Sequence, residues 1–392
     1  MNLRKINRCK RYMLAGSSRK NGFDRWRLVM NGFNTETGAD CTFFIEFYVL
    51  NPLLSPSECV LGFKSRLEKT PEDLQYALAG TETGKNLLTE KDVKPSFVMV
   101  KVGRLSKNGK QLNAYFPSNS FKTDSSEYIL KVGTDDSNTC ILTDSSTSGS
   151  VTVSKLDLIQ SPELLCNAGS FAWNLRYKIE DSLFPKFSSS AVNWSCFGAR
   201  TGFAGMIVMD GEKYAVSTNT SYGYFDKNWG RDYSNPFFHL SSNNLTSNIS
   251  GKKLLSSCFA VQGIYNKRLS LLSTIESRKI EFHAGGRKKY NVVYDFSETV
   301  PDNEGIKLHW TVSLNNRKYY VDVDIFCKAD NMIVRDYEAP EGGRKVLKVL
   351  SGATGTGELK LYRKVKKNLE LIEDVHVANC LCEFGNIEYP VK

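Results

Sequence analysis

The sequence predicts an all-β protein built from two antiparallel β-barrel or sandwich domains that pack together. Short segments rich in aromatic and β-branched residues recur along most of the chain, and turn-forming residues separate them about every ten positions. Helical patterns are sparse. Because one barrel rarely needs 392 residues, two all-β domains, residues 1–218 and 219–392, fit the length better.

The strand predictions rest on apolar runs and on alternation of apolar with polar residues. Strands are expected at 41–50, 96–105, 126–133, 148–158 and 170–180, with two or three more within 357–385.

Two hairpins are also expected. Residues 203–218 form one that turns at Asp210-Gly211, a strong local turn signal. Residues 306–326 form another that turns near Asn315-Asn316.

The remaining segments carry weaker signals. Residues 55–67 and 70–80 each start with Ser or Thr, Pro and an acidic residue, a pattern typical of a helix start. Residues 107–147 are rich in Ser, Asp and Asn, which predicts long loops. The glycine-rich segments 351–360 and 283–289 lack a phosphate-binding pattern, so we expect a loop and a hairpin turn there.

The net charge of +10 makes nucleic acid the first partner to consider. The basic residues are scattered, however, and the longest clusters are GRKK at 286–289 and RKVKK at 363–367. No zinc-finger spacing, ribonucleoprotein motif or basic helix accompanies them. A basic, solvated surface is the simpler interpretation, and we predict no nucleic-acid binding.

The sequence also predicts where the chain resides. The basic N-terminus lacks the apolar core of a signal peptide, and no stretch approaches the roughly 20 apolar residues that cross a bilayer. This predicts a cytoplasmic protein that does not span a membrane, and it leaves transient contact with a membrane surface open.

Metal-binding patterns are missing from the sequence. Ten cysteines form no CxxC pair, and the spacing of CLC at 380–382 does not suit a zinc site. The four histidines lie far apart along the chain. We therefore expect buried free thiols and no metal site.

The densest stretch is SYGYFDKNWGRDY, residues 221–233, which we call the crowded segment. If it is a strand, Tyr224, Asp226 and Asn228 share one face, and Phe225, Lys227 and Trp229 share the other. A carboxylic acid, an amide and a phenol on one inward face suit protonation of an alkene, provided that an apolar setting raises the pKa of Asp226. From the residues alone, a β-bulge held by Asn228, with Trp229 as packing, is the favoured explanation of the segment.

The crowded segment resembles a family motif. GYFDKNWGR is similar to the motif of the tocopherol cyclase family and, more distantly, to that of carotenoid 1,2-hydratases and related lipocalin-like proteins. Other segments resemble the family in the same order, namely GFDRWRLV at 22–29, SFAWNLRY at 170–177, residues 183–214 and FFHLSSNNL at 237–245. The sequence departs from the family pattern at Arg25, Phe237, Phe238 and Leu245.

The resemblance implies two tandem lipocalin-like barrels and closure of a chromanol ring on a prenylated quinol, or hydration of a terpenoid, without a cofactor. Asp226 is then the candidate acid, and Tyr224 and Asn228 are candidates to orient it. The candidate substrate contacts are Asp24, Trp26, Trp173, Lys227, Trp229, His239 and Asn243. Their aromatic members are candidates to stabilise a carbocation, and His239 is also a candidate acid–base partner for Asp226.

Two other functions fit the same residues. A double lipocalin-like protein can carry a lipid or an isoprenoid without performing chemistry. The crowded segment can also be a purely structural clasp between the domains.

Overall fold

The computed structural model describes residues 3–54, 60–61, 94–124, 126–133, 139–160, 164, 166–185, 191–218, 222–264, 268–284, 292–298, 305–342 and 345–388. The expected helices at 55–67 and 70–80 lie outside the described residues, apart from the two positions 60–61. Most of the turn expected at 283–289 also lies outside them.

The protein is all-β, as the sequence predicts, and its strands form two large antiparallel sheets. The 12 strands of the first sheet are β1 (Phe23–Asn34), β2 (Asp40–Leu50), β5 (Phe97–Arg104), β6 (Lys110–Phe116), β7 (Phe121–Asp124), β8 (Tyr128–Val132), β9 (Cys140–Leu142), β10 (Ser146–Val153), β11 (Gly169–Leu183), β12 (Val192–Met209), β13 (Glu212–Val216) and β14 (Gly223–Gly230). A short parallel pair joins β3 (Val60–Leu61) to β4 (Lys94–Pro95).

The second sheet has 11 strands. They are β15 (Phe237–Ser242), β16 (Asn244–Ser247), β17 (Cys258–Ile264), β18 (Arg268–Ile275), β19 (Arg278–Ala284), β20 (Val292–Glu298), β21 (Lys307–Asn315), β22 (Tyr319–Lys328), β23 (Ile333–Glu338), β24 (Val346–Val365) and β25 (Asn368–Glu388). Each sheet curls so that β6 approaches β10 in the first and β19 approaches β21 in the second. Each therefore encloses its own apolar core.

Helices are short in the described residues. They are α1 (Leu3–Lys10), α2 (Lys155–Gln160) and three 3₁₀ turns at Gly16–Arg19, Ser118–Ser120 and Ala329–Asn331. None of the helices in the described part of the chain is long and apolar enough to cross a membrane.

The expected hairpins are confirmed. Between β12 and β13 the chain reverses at Asp210 and Gly211, whose φ angles of 52° and 88° are those of a tight hairpin turn. Between β21 and β22 the side chain of Asn316 accepts hydrogen bonds from the backbone N–H groups of Lys318 and Tyr319.

Three expectations about loops and strands are wrong in part. Residues 107–147 contain the strand expected at 126–133, which is β8, but also three strands that were not expected, β6, β7 and β9, whose buried apolar residues include Leu112 and Leu142. Residues 351–360 belong to β24, and the glycines there coincide with shifts of register against β25. The strand expected at 148–158 ends at Val153, where Ser154 starts α2 and its backbone N–H binds Asp157.

The crowded segment belongs to the first sheet. Its strand β14 pairs with β1 and β12, whereas the sequence had suggested that it enters the second barrel. The change of sheet lies between Gly230 and Phe237, after the boundary expected at 218/219. The division into two folding units remains a prediction.

The apolar core has separate compartments. One fills the first barrel around Trp26, Phe47 and Phe171, and another fills the second barrel around Trp310 and Phe259. Two further clusters lie between the sheets and take residues from both.

All nine cysteines in the described residues are free thiols, as expected. The first barrel holds Cys41 and Cys140, and the second holds Cys327, Cys380 and Cys382. Cys196 and Cys258 lie between the sheets. Cys9 and Cys166 are half-buried.

Candidate functional site

The two faces of β14 have the composition that alternation predicts. Phe225 and its neighbours in alternation point into the first barrel, where Phe225 packs on Phe197 and Tyr177. Tyr224 belongs instead to a cluster between the sheets. Asp226 and Asn228 share its face, so the face that carries Asp226 meets the second sheet and not the interior of a barrel.

Asp226 is held by four hydrogen bonds in a fully buried setting. Arg27, its direct neighbour on β1, donates from Nε to Oδ1 at 2.9 Å and from Nη2 to Oδ2 at 2.8 Å. Trp194 Nε1 and Tyr224 Oη donate to Oδ2 at 2.9 and 3.0 Å. The two-pronged guanidinium contact is the strongest geometry for such a pair.

The second sheet completes this arrangement through Glu383. Glu383 accepts hydrogen bonds from Arg27 and from Arg335, and Ser351 Oγ donates to it at 2.9 Å. Arg335 Nη1 in turn donates to Glu46 Oε1 at 2.8 Å, and Glu46 lies opposite Arg27 on the neighbouring strand β2. Salt bridges thus run without interruption from one sheet to the other.

Two more cations surround Tyr337, which donates to Glu46 at 2.7 Å. The guanidinium of Arg25 and the ammonium of Lys101 lie 4.7 and 4.4 Å from the ring centroid of Tyr337. The whole group, which we call the inter-sheet charge network, comprises Arg25, Arg27, Glu46, Lys101, Asp226, Arg335 and Glu383.

The network keeps Asp226 ionised. Burial by itself raises the pKa of this carboxyl, but the charge of Arg27 and its hydrogen bonds outweigh burial, so that the pKa is lowered from its ordinary value. The sequence had suggested a raised pKa in an apolar cavity. Asp226 lies in an ion pair because strands β1 and β14 place Arg27 directly opposite it.

His239 lies close to Asp226 but does not bind it directly. Its Nε2 is 3.3 Å from Nη2 of Arg27, which holds Asp226 on its other side. Burial and the charge of Arg27 lower the pKa of His239 to about 3, so the ring is neutral at physiological pH. The expected acid–base pairing of His239 with Asp226 is therefore replaced by a shared contact with Arg27.

The opposite face of β14 holds a second buried ion pair. Lys227 Nζ lies 3.0 Å from Asp24 Oδ1, and both side chains are completely buried. Burial raises the pKa of Asp24 to about 6 and lowers the pKa of Lys227 to about 8. The Lys227 ammonium also lies 4.2 Å from the ring centroid of Trp26 and 5.5 Å from that of Trp229.

The same side chains hold residues 3–20, which we call the N-terminal segment. Trp26 Nε1 donates to the carbonyl of Lys10 at 2.7 Å, and Lys227 donates to the carbonyl of Arg11. The backbone N–H of Met13 donates to Asp24 at 2.7 Å. Asp24, Trp26 and Lys227 thus bind the chain itself, where the resemblance implied substrate contacts.

Trp173 and Asn243 lie apart from both ion pairs. Trp173 packs in the core of the first barrel and donates to Thr147 Oγ1 at 2.9 Å. Asn243 donates to the carbonyls of Gly223 and Ala199, at 2.6 and 3.1 Å, and so ties the second sheet to the first.

A cleft opens between the sheets beside Asp226. This inter-sheet cleft has a cavity volume of about 60 Å³ and opens to solvent on one side. Its apolar lining includes Val192, Trp194 and Ile264, and its polar lining includes Ser234, Gln262 and Arg268. Trp194 binds Asp226, and Gln262 Nε2 donates to Asn228 Oδ1 at 2.5 Å. The cleft therefore ends against the crowded segment.

Sequence reasoning missed most of the charge network. Glu46, Lys101 and Glu383 are each the single charge in an otherwise uncharged stretch of their strand, in FFIEFYVL, FVMVKVG and CLCEFG. A single charge in a strand that is buried on both faces needs a partner, since an unpaired buried charge is very costly. This pattern predicts that each of the three residues has a buried partner of opposite charge, but it does not identify that partner.

No group of three or more His, Cys, Asp or Glu side chains that could hold a metal ion occurs among the described residues.

Comparison with known proteins yields similarities of fold alone. No protein-family model matches the chain, and no curated protein sequence matches it. A candidate ATTH from Nitrosomonas europaea is 12% identical with a TM-score of 0.44, over 91% of this chain and 92% of that one. Kievitone hydratase from Nectria haematococca is 10% identical with a TM-score of 0.40, over 97% of this chain and 93% of that one.

Proposed function

We propose that the protein binds a small, largely apolar molecule in the inter-sheet cleft. The observation that carries the proposal is the double role of Trp194 and Gln262. Both line the cleft, and both hydrogen-bond to residues of the crowded segment, Asp226 and Asn228. A mostly apolar recess with a few convergent polar groups is the usual composition of a small-molecule site.

The apolar lining of the inter-sheet cleft indicates a ligand with a large hydrocarbon part. Val192, Trp194 and Ile264 offer apolar and aromatic surface. A prenylated quinol, a terpenoid or a lipid chain would bury its hydrocarbon there, at roughly 25 cal/mol for each Å² removed from water.

The test is a substitution that fills the cleft. Replacing Ile264 by Arg puts a long, charged side chain into the lining, so we expect the affinity for an apolar fluorescent probe to fall at least about tenfold, or 1.4 kcal/mol. The matched control is Ile159→Arg, because Ile159 is 78% exposed on α2 and far along the chain from the cleft. Equal affinities of the two variants would rule out the inter-sheet cleft.

A second function is catalytic: ring closure or hydration of a prenylated quinol or terpenoid, as in the tocopherol cyclase family. One observation favours it, namely that Tyr224, Asp226 and Asn228 share a face beside the cleft. Against it stands the ion pair with Arg27, because a carboxylate with a lowered pKa is a poor proton donor. We therefore rank binding above catalysis.

Turnover of a prenylated quinol by Asp226→Asn tests the catalytic function. The amide cannot donate a carboxylic proton, so activity should be lost while circular dichroism remains that of a folded protein. Activity retained by this variant would exclude Asp226 as the acid.

A further inference from the structure

Three buried polar atoms beside the cleft have no hydrogen-bond partner among the described residues. They are Asn228 Nδ2, Gln262 Oε1 and His239 Nδ1. Their side chains are at most 5% exposed. Buried polar groups in folded proteins nearly always find a partner, so three such atoms at one place call for an explanation.

The three side chains are neighbours. Gln262 donates to Asn228 at 2.5 Å, and His239 lies directly opposite Gln262 on the adjacent strand. Side chains at such opposed positions lie on the same face of a sheet. Gln262 also lines the inter-sheet cleft, so the group lies at the inner end of the proposed binding site.

The amide pair offers one donor and one acceptor. With the contact running from Gln262 Nε2 to Asn228 Oδ1, the carbonyl of Gln262 and the amino group of Asn228 remain unpaired. If the nitrogen and oxygen positions are exchanged in both amides, Asn228 donates to Gln262 instead. The amino group of Gln262 and the carbonyl of Asn228 then remain unpaired, again one donor and one acceptor.

His239 adds a second donor. His239 Nε2 lies 3.3 Å from Arg27 Nη2 and 3.1 Å from Ser241 Oγ; because Arg27 can only donate, Nε2 is the acceptor, and the Ser241 hydroxyl can donate to it as well. In the neutral ring the hydrogen then lies on Nδ1, which is the unpaired atom. The inner end of the cleft therefore offers two donors and one acceptor.

We propose that the molecule bound in the inter-sheet cleft carries a hydroxyl group at its inner end, which accepts hydrogen bonds from Asn228 and His239 and donates one to Gln262. A hydroxyl has one donor and two acceptor positions, which matches the unpaired set. A carboxylate cannot donate and an ammonium cannot accept. The unpaired atoms are enclosed, so the proposal requires the Gln262 side chain to turn when the molecule enters. This inference rests on the proposed binding function.

The experiment compares four probes of equal chain length by isothermal titration calorimetry: octan-1-ol, methyl octyl ether, octanoate and octylamine. The ether can accept but not donate, so the loss of one hydrogen bond should weaken its binding about tenfold relative to the alcohol. The two ions should bind more weakly still, because their charge must leave water.

Variants assign the preference to the proposed group. Gln262→Leu removes the acceptor, so the alcohol and the ether should then bind equally. Gln262→Met, which keeps an unbranched side chain of similar length, should behave in the same way if the Leu variant folds poorly. Gln160→Leu is the matched control, since Gln160 is exposed at the end of α2, and it should keep the tenfold preference.

The outcomes separate the two proposals. Equal binding of alcohol and ether to the unmodified protein, with both blocked by Ile264→Arg, would overturn the hydroxyl while leaving the binding function intact. A preference that persists in Gln262→Leu and Gln262→Met would also overturn it. Binding of no probe, or binding that Ile264→Arg does not affect, would overturn both.

Discussion

At the scale of single residues, Arg27 is the centre of the interface between the sheets. It contacts carboxylates from both sheets, Asp226 and Glu383, and all three side chains are completely buried. Replacing a whole buried ion-pair network by apolar residues is often neutral, but removing one partner leaves an uncompensated buried charge. We therefore expect the network to specify how the sheets dock more than it stabilises each of them.

Arg27→Met tests this role. The variant leaves Asp226 without its guanidinium partner, so we expect the free energy of unfolding to fall by about 3–5 kcal/mol. Urea denaturation followed by circular dichroism measures it. The matched control is Arg200→Met, because the Arg200–Glu180 pair is partly exposed and its loss should cost less than about 1 kcal/mol. Similar costs for the two variants would contradict a central role for Arg27.

The residues of the site were predictable only in part. Alternation assigned Tyr224, Asp226 and Asn228 to one face correctly, because that depends on local strand geometry. The partners Arg27 and Glu383 lie 199 and 157 positions from Asp226 along the chain (226 − 27 and 383 − 226), and no local pattern encodes such a contact. The raised pKa expected for Asp226 was wrong for this reason.

At the scale of elements, the N-terminal segment is the least expected feature. The sequence shows a basic stretch without strand or helix signals, yet α1 buries Ile6 against the core of the first barrel. Asp24, Trp26 and Lys227 bind the backbone at the end of α1 and just after it, and these contacts replace hydrogen bonds to water. Tertiary contacts therefore fix this segment where its own helical propensity is too weak.

Ile6→Ala should loosen the N-terminal segment. Truncating a core isoleucine costs about 2–4 kcal/mol, which raises the open fraction of the segment at least about 30-fold. Limited trypsin digestion should then cut faster at Arg8, Lys10 and Arg11. Leu3→Ala, at a position that is 60% exposed on the same helix, should digest at the unmodified rate. Equal rates for both variants would show that Ile6 does not anchor the segment.

Strands and hairpins were easier to predict than loops. The hairpin at Asp210-Gly211 follows from the turn residues alone. Residues 107–147 were mistaken for loops because composition hides the buried positions of short strands such as β9. The glycines of β24 were mistaken for a loop because glycine in a strand marks a bulge as readily as a turn.

At the scale of the whole molecule, the charge network makes docking of the sheets dependent on pH. The pKa values of Asp226, Glu46 and Glu383 all lie below their ordinary values of 3.8 for Asp and 4.5 for Glu, because the effect of the neighbouring arginines exceeds that of burial. Groups with lowered pKa stabilise the folded state above their ordinary pKa. That stability is lost as the pH falls through the folded values.

We expect the free energy of unfolding to drop between pH 5 and pH 3, with a smaller drop for Asp226→Asn, which lacks one of these carboxyls. Urea midpoints at the two pH values measure the difference. Asp330→Asn is the control, since Asp330 is exposed and lies outside the inter-sheet charge network. A drop in Asp226→Asn as large as in the unmodified protein would contradict the assigned pKa direction.

The buried thiols lie in different compartments of the core, so the rate at which each one is alkylated reports how often its compartment opens. Cys196 and Cys258 sit between the sheets, Cys140 sits in the first barrel and Cys380 in the second, and none can be alkylated while its compartment stays closed. Timed exposure to iodoacetamide, followed by peptide mass spectrometry, would reveal the order in which the compartments open. Modification of Cys196 and Cys258 ahead of the other two would mean that the sheets part before either barrel melts.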